Sequence, residues 1–250
     1  MSSLSDFERE KYRRQMMIAG FGEQAQEKLK KATAMVMRVG GLGGPTALWL
    51  AAAGIGRLIL AHAGRLTPSN LNRQILMRGD GIGQPRAPQA QETIQRFNPD
   101  CDVWAISDEP TPERVEEWVA EADIVCSATP DFNERLWLSD ACVKLGKPMV
   151  FAGMDEMEAQ LTTIVPGRTP CVRCLLPEVP DWWEPYGFPV LGAVSGSLGA
   201  LGAIEAIKIL TGFGRPLLGK LLVYDCADMT FATYDLARDP QCPACAHLFT

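Results

Sequence analysis

Apolar and polar positions follow two periods along this chain. Short apolar runs occupy Ala34 to Arg38, Arg57 to His62, Asp102 to Ile106, Asp123 to Ser127 and Pro148 to Ala152, and each predicts a strand. Between them lie segments with helical spacing at Pro45 to Ala53, Gln89 to Phe97, Thr111 to Ala120 and Asp131 to Leu145. Thr111 and Asp131 fit as caps, and Gly146 ends the last of these helices. Two more helices precede the first strand: Ser5 to Met17, where Ser5 and Glu8 make a capping-box pattern, and Glu23 to Lys31. Alternating strands and helices predict an α/β fold with a mostly parallel sheet and helices on both faces.

From Gln160 the pattern changes. Gln160 to Val165, Lys220 to Asp225 and Thr230 to Leu236 read as strands of a more antiparallel C-terminal half. Between them run a loop rich in proline and tryptophan, LPEVPDWWEPYGFP, and a long helix around Ser195 to Leu210. We expect one domain over residues 1–250: a helical arm (1–31), a nucleotide-binding half (32–155) and a half carrying a metal site (156–250). No internal repeat or low-complexity tract interrupts it.

Composition narrows the class. A chain of 250 residues with 47% hydrophobic and 22% charged positions can bury a sizeable core. A net charge of −6 leaves no basic footprint for nucleic acid or an anionic membrane. The first residues are polar and charged, so no secretory leader is expected and the cytoplasm is the expected compartment. The apolar run Phe188 to Leu210 is broken by Glu205 and Lys208, which predicts a closely packed core helix and no membrane span.

Two stretches carry chemistry. The first joins a strand, a glycine turn (Val39 to Gly44) and a helix, an arrangement that brings backbone N–H groups to phosphates. The second is a pair of CxxC knuckles, Cys171/Cys174 and Cys242/Cys245. Four thiolates in two such pairs suit a tetrahedral zinc ion with no open position, hence a structural one. The alternatives are two unrelated thiol pairs or one redox CxxC. Cys101, Cys126, Cys142 and Cys226 lie in or beside apolar segments and read as small buried hydrophobes.

GGLGG at 40–44, SNLNRQ at 69–74 and GQPRA at 83–87 resemble the ThiF/MoeB/HesA group, bacterial relatives of ubiquitin-activating enzymes. The resemblance runs from about Tyr12 to Cys245 and includes the four knuckle cysteines. It implies a Rossmann-like fold and a dimer. It also implies a reaction in which the C-terminal glycine carboxylate of a small ubiquitin-like or sulfur-carrier protein attacks the α-phosphate of ATP, with magnesium bound. Gly40, Gly41 and Gly43 match the later part of the group's glycine loop. Asn70, Arg73 and Gln74 match its nucleotide-contacting segment. Arg14 matches an arginine donated to the other subunit, and the N-terminal arm is expected to reach across the dimer. Arg86 stands where the group has a lysine beside the phosphates.

Other positions depart from that pattern. Arg38 replaces the first glycine of the turn. His62 stands where a ribose-binding acid ends the second strand, with Gly64 at a second acidic position. Pro130 replaces the carboxylate that holds magnesium; Asp131 either substitutes for it or caps the next helix. The loop after the first knuckle has no cysteine, which argues against thiol relay, and Trp182 and Trp183 in it either clamp a peptide or pack on the core.

Three functions stay open on the sequence. One is a subunit with impaired or lost adenylation that pairs with an active homologue or binds a carrier. Another is an active, divergent adenylyltransferase. The third is an oxidoreductase using NADP, with Arg65 near the second strand.

Overall fold

The computed structural model describes residues 4–176 and 178–249. Residues 1–3 of the expected arm, 177 of the expected loop and 250 at the tail lie outside the described residues. In chain order the elements are α1 (Asp6–Lys11), α2 (Arg13–Met16), α3 (Gly22–Lys31), β1 (Thr33–Met37), α4 (Gly43–Ala53), β2 (Arg57–Ala61), α5 (Arg86–Phe97), β3 (Asp102–Ile106), α6 (Pro112–Ala120) and β4 (Ile124–Ser127). They continue with α7 (Phe132–Leu145), β5 (Met149–Asp155), β6 (Glu158–Ile164), α8 (Val172–Leu175), α9 (Gly192–Thr211), β7 (Lys220–Asp225) and β8 (Thr230–Asp235).

All eight strands form one sheet in the order β3-β2-β1-β4-β5-β6-β7-β8. The first five are parallel and the last three antiparallel, joined at the β5–β6 pair. The α/β class and the antiparallel second half hold as expected. The central strands TAMVM, RLILA and IVCS are nearly continuous apolar runs because both of their faces are covered. Ala34, Val36, Leu58 and Leu60 enter one core with α4, α5 and α9. Met35, Met37, Ile59 and Ala61 enter a second core with α6 and α7. The strand order reverses between β2 and β4, on either side of β1, and at such a switch point a crevice opens beyond the strand ends.

Two details differ from expectation. The helix expected over Ser5 to Met17 is two helices, broken at Tyr12. Tyr12 is buried against Gly54, where a Cβ would lie 2.5 Å from the phenol ring carbon Cζ, so tertiary packing overrides helical continuity. The Ser5–Glu8 capping box does form, and α1 is tied back to its own chain through Lys30–Glu8 and Arg9–Glu23. The first strand ends at Met37, leaving Arg38 outside the ladder.

α9 is the one described helix long and apolar enough to cross a membrane. It lies in the core, packed on α4, β5 and β6. A Cβ on Gly199 would stand 2.5 Å from the Leu42 carbonyl, so glycine permits this close approach. Glu205 is buried on α9 and accepts from Thr163 Oγ1 and Leu217 N, both at 2.7 Å.

Candidate functional site: an arginine-lined cavity and a four-thiol cluster

A cavity of about 370 Å³ opens at the carboxyl ends of β1, β2, β4 and β5. Its floor is the glycine turn. Gly40, Gly41 and Leu42 line it just before the N-terminus of α4. Space explains two of these glycines: a Cβ on Gly41 would meet Arg73 Cγ and Ser195 Oγ at 2.9 Å, and one on Gly43 would meet the Arg38 carbonyl at 2.5 Å.

Arg38 occupies a backbone conformation that normally asks for glycine, with φ at +67°. That costs an ordinary residue roughly 1–2 kcal/mol. Its buried guanidinium grips Glu134 on the first turn of α7, with Nε donating to Oε2 at 2.9 Å and Nη2 to Oε1. Glu134 also accepts from Thr129 Oγ1. Burial alone would lower the Arg38 pKa, and the Glu134 hydrogen bond and charge more than offset it.

Around this pair the lining is cationic. Arg38, Arg65, Arg73, Arg86 and Arg135 all border the cavity, with His62, and no Asp or Glu among the described residues lines it. Arg73 bonds Ser69 O and Asn72 Oδ1, both at 2.8 Å, and Arg86 Nη2 donates to Ala63 O at 2.7 Å. Burial lowers the pKa of both; Arg38 adds repulsion at Arg86. Arg135 is buried between Phe132 and Phe151, and burial pushes its guanidinium down to about 10. Gly64 leaves room for the fold over Arg86, because a Cβ there would lie 2.7 Å from Nη2.

The site residues expected from the sequence divide into two groups. Gly40, Gly41, His62, Asn70, Arg73, Gln74 and Arg86 converge on the cavity. Asn70 also builds the turn before it, accepting from Thr67 N at 3.0 Å. Gly43 lies below, in the first turn of α4. Asp131 does not line the cavity; it caps α7 by accepting from Glu134 N at 3.0 Å. Arg14 is exposed on α2, away from the cavity.

His62 is buried, and its pKa lies well below the ordinary histidine value, through burial first and then the charges of Arg86 and Arg38. Both effects disfavour the charged imidazolium. Its Nδ1, Gln74 Oε1 and Arg86 Nε are buried without hydrogen-bond partners among the described residues.

Magnesium does not fit this lining. Glu134 is committed to Arg38 and Thr129, Asp131 to the helix N-terminus, and Glu109, near Arg38, is exposed outside the cavity wall. A hard dication needs free carboxylate or carbonyl oxygens, and here it would face guanidinium groups.

The four knuckle cysteines do come together. Their Sγ atoms all lie within 4.8 Å of one another, with Cys171–Cys242 at 3.5 Å and Cys174–Cys245 at 3.6 Å. Four thiols at such spacing suit zinc, whose Zn–S bonds are about 2.3 Å. Cys171 opens α8, and Cys242 and Cys245 bring the tail against Val143 of α7.

The sequence pointed to Arg38 as an anomaly and did not find Glu134 as its partner. A signal existed: a buried cation at a strand end requires a carboxylate. Arg135, Tyr186 and Ser195, which also line the cavity, carried no such signal. Trp183 packs, donating to Pro130 O at 2.8 Å and stacking on Phe188, while Trp182 is exposed.

The chain matches the ThiF family over residues 12–244. It is 51% identical to the HesA protein of Leptolyngbya boryana, over 99% of this chain and 89% of that relative. It is 39% identical to the sulfur carrier protein adenylyltransferase of Thermus thermophilus, over 95% of this chain and 91% of the relative. A crystal structure of E. coli MccB with ATP superposes with a TM-score of 0.83 at 26% identity, covering 94% of this chain and 73% of that one. Motifs, fold and relatives agree: the chain belongs to the ThiF family, the ThiF/MoeB/HesA group of ubiquitin-activating-like proteins.

Proposed function

We propose that this chain belongs to a sulfur-carrier or ubiquitin-like activation system as a dimeric partner or carrier-binding subunit, with magnesium- and ATP-dependent adenylation impaired or lost. One observation carries the reading. The Arg38–Glu134 pair and the acid-free lining replace the groups that adenylation requires at the ribose and the metal. Arg14, exposed and outside the cavity, remains free to serve another subunit's site. Losing one preorganised electrostatic contact costs about 3–4 kcal/mol of transition-state stabilisation, so losing two leaves little activity.

ATP–pyrophosphate exchange with a glycine-tailed carrier protein tests this. The native chain should show no magnesium-dependent exchange, and the triple variant Arg38→Gly, His62→Asp, Pro130→Asp should gain it. Exchange by the native chain at the rate of an active homologue would overturn the proposal. For the partner role, Arg14→Ala should leave this chain folded and lower the activity of an active homologue mixed with it.

A second reading, an active and divergent adenylyltransferase, is favoured by the cavity volume and by Asn70, Arg73, Gln74 and Arg86 all facing it. Here Asp131 would have to serve the metal as well as its helix. Asp131→Ala then abolishes exchange; in the first reading there is none to abolish. The oxidoreductase alternative lacks a catalytic acid/base pair, because His62 is buried and His247 lies beside the cysteine cluster.

Zinc in this reading is structural. It would be held by Cys171, Cys174, Cys242 and Cys245 and would clamp the C-terminal tail to α7 and α8. A chelator under denaturing conditions should release one equivalent per chain.

A further inference from the structure

We infer that α1 and α2 form a latched arm: Lys11, Tyr12 and Gln15 seat it on the joined carboxyl ends of α4 and α5, and this seat positions Arg14. The inference rests on the proposed partner role for what the latch serves. The latch itself stands on its own contacts.

The seat is rich in acceptors. α4 is capped at Gly54 and α5 at Asn98, and the last carbonyls of a helix lack intrahelical donors and carry partial negative charge. Asn98 joins the two ends by donating Nδ2 to Ala51 O at 2.8 Å. The arm brings further donors. Lys11 Nζ reaches Asn98 Oδ1 at 2.6 Å and Asp100 Oδ2 at 3.0 Å. The ring centroids of Tyr12 and Phe7 lie 5.3 and 5.9 Å from the same ammonium, within cation–π range. Gln15 Nε2 donates to Ala53 O at 2.8 Å and to Gln26 Oε1. Tyr12 sits over Gly54, which has no Cβ to meet its ring.

Apolar packing contributes little to this attachment. Among residues 4–17 only Leu4, Glu8 and Tyr12 are buried. Glu8–Lys30 and Arg9–Glu23 add ion pairs to α3. A cavity of about 390 Å³ lies between α1 and the ends of α4 and α5, lined by Phe7, Glu8, Tyr12, Gly54, Asn98 and Asp100. Few buried apolar contacts and partly exposed polar bonds describe a segment that opens separately from the core. Arg14 stands between Tyr12 and Gln15 in sequence and is exposed. α2 has four residues, Arg13–Met16, too few to hold a helix unaided. The anchors on either side therefore decide where the Arg14 guanidinium stands, and Lys11, Tyr12 and Gln15 are positioning residues for it.

Amide hydrogen exchange of the full zinc-loaded chain, read by mass spectrometry, tests the latch. Amides of α1 and α2 should exchange faster than those of β1, β2 and β4. Lys11→Met and Gln15→Met remove a donor and keep the length of the side chain. Each should speed exchange of the arm about tenfold and leave the exchange of those strands and the melting curve unchanged. An arm that exchanges only as fast as the strands overturns the inference, as does exchange unchanged in both variants. Mixing with an active homologue reads the position of Arg14. Gln15→Met should lower kcat of the mixture as Arg14→Ala does, with KM for ATP unchanged, and the double variant should lose no more than Arg14→Ala alone. The two readings fail separately. If Arg14→Ala lowers the rate and Gln15→Met does not, the inference is overturned and the partner role stands. If Arg14→Ala is itself silent, the partner role falls, and the latch stands or falls on the exchange rates.

Discussion

The cysteine cluster lies against α7 and α8 and the arginine cavity at the strand ends, and the two are built differently. The cluster keeps four side chains of one kind, at positions where all four Sγ atoms meet within 4.8 Å. The cavity is lined by Gly40, Gly41, Asn70, Arg73 and Gln74, and its wall carries five arginines and, among the described residues, no carboxylate. Clamping a tail needs only the ligands and their bite, so the cluster is either whole or useless. A nucleotide pocket is a sum of charges from several strand ends. Arg38, His62 and Pro130, the positions that depart from the pattern the resemblance implies, all border that pocket beside the glycine turn.

The comparison breaks most severely if the cluster proves dispensable. Cys242→Ser removes one thiolate and should release the metal and loosen the tail from α7. Structural zinc contributes on the order of 10 kcal/mol in small folds, so a large fall in melting temperature is expected here. Zinc content and a melting curve measure it. A variant that melts like the native chain would show that the four thiols hold nothing.

Next comes the buried ion pair beside the cavity. Glu134→Gln leaves the Arg38 guanidinium buried beside a neutral amide, a loss of about 3–5 kcal/mol by denaturant unfolding. Adding Arg38→Gly should recover most of it, because the charge is gone and glycine suits φ of +67°. If the double variant is no better than the single, Arg38 and Glu134 do not act as a pair.

These two sites were unequally legible in the sequence. Cys171, Cys174, Cys242 and Cys245 announce themselves by spacing, and their chemistry needs no third party. The parallel strands were readable for a similar reason: Met35 and Val36 are adjacent in sequence and buried on opposite faces, so the run has to be apolar throughout. Arg38 was visible as a misfit, but Glu134 lies far along the chain on the first turn of α7, and only the sheet order brings them together. The break at Tyr12 escaped for the same reason. Nothing local to Ser5–Met17 forbids one helix; Gly54 and Asn98 decide it.

The aromatic loop over the cavity offers a smaller test. Trp183 donates to Pro130 O and stacks on Phe188 with ring centroids 5.3 Å apart, whereas Trp182 is 76% exposed. Trp183→Ala should cost about 2 kcal/mol, and Trp182→Ala should stay within about 0.5 kcal/mol. Equal effects would mean that the loop is not pinned at Pro130.

The smallest effect concerns pH, and it separates the cavity from the cluster. Burial and the charges of Arg86 and Arg38 hold the folded-state pKa of His62 well below its unfolded value near 6.5. Below that value the unfolded chain binds a proton that the folded chain does not. Stability therefore rises with pH up to about 6.5 and is lost as pH falls beneath it, at no more than about 1.4 kcal/mol per pH unit for one proton. His62→Gln keeps a polar group of similar reach and removes the titration. Its unfolding free energy should be flatter than that of the native chain between about pH 5 and pH 6.5. Carboxylates such as Glu8 and Glu113, whose folded pKa values are also lowered, act further down the scale and should be unaffected by the change. A variant with an unchanged slope would mean that His62 takes up its proton in the folded state, and an imidazolium among those arginines would demand a bound anion even at rest.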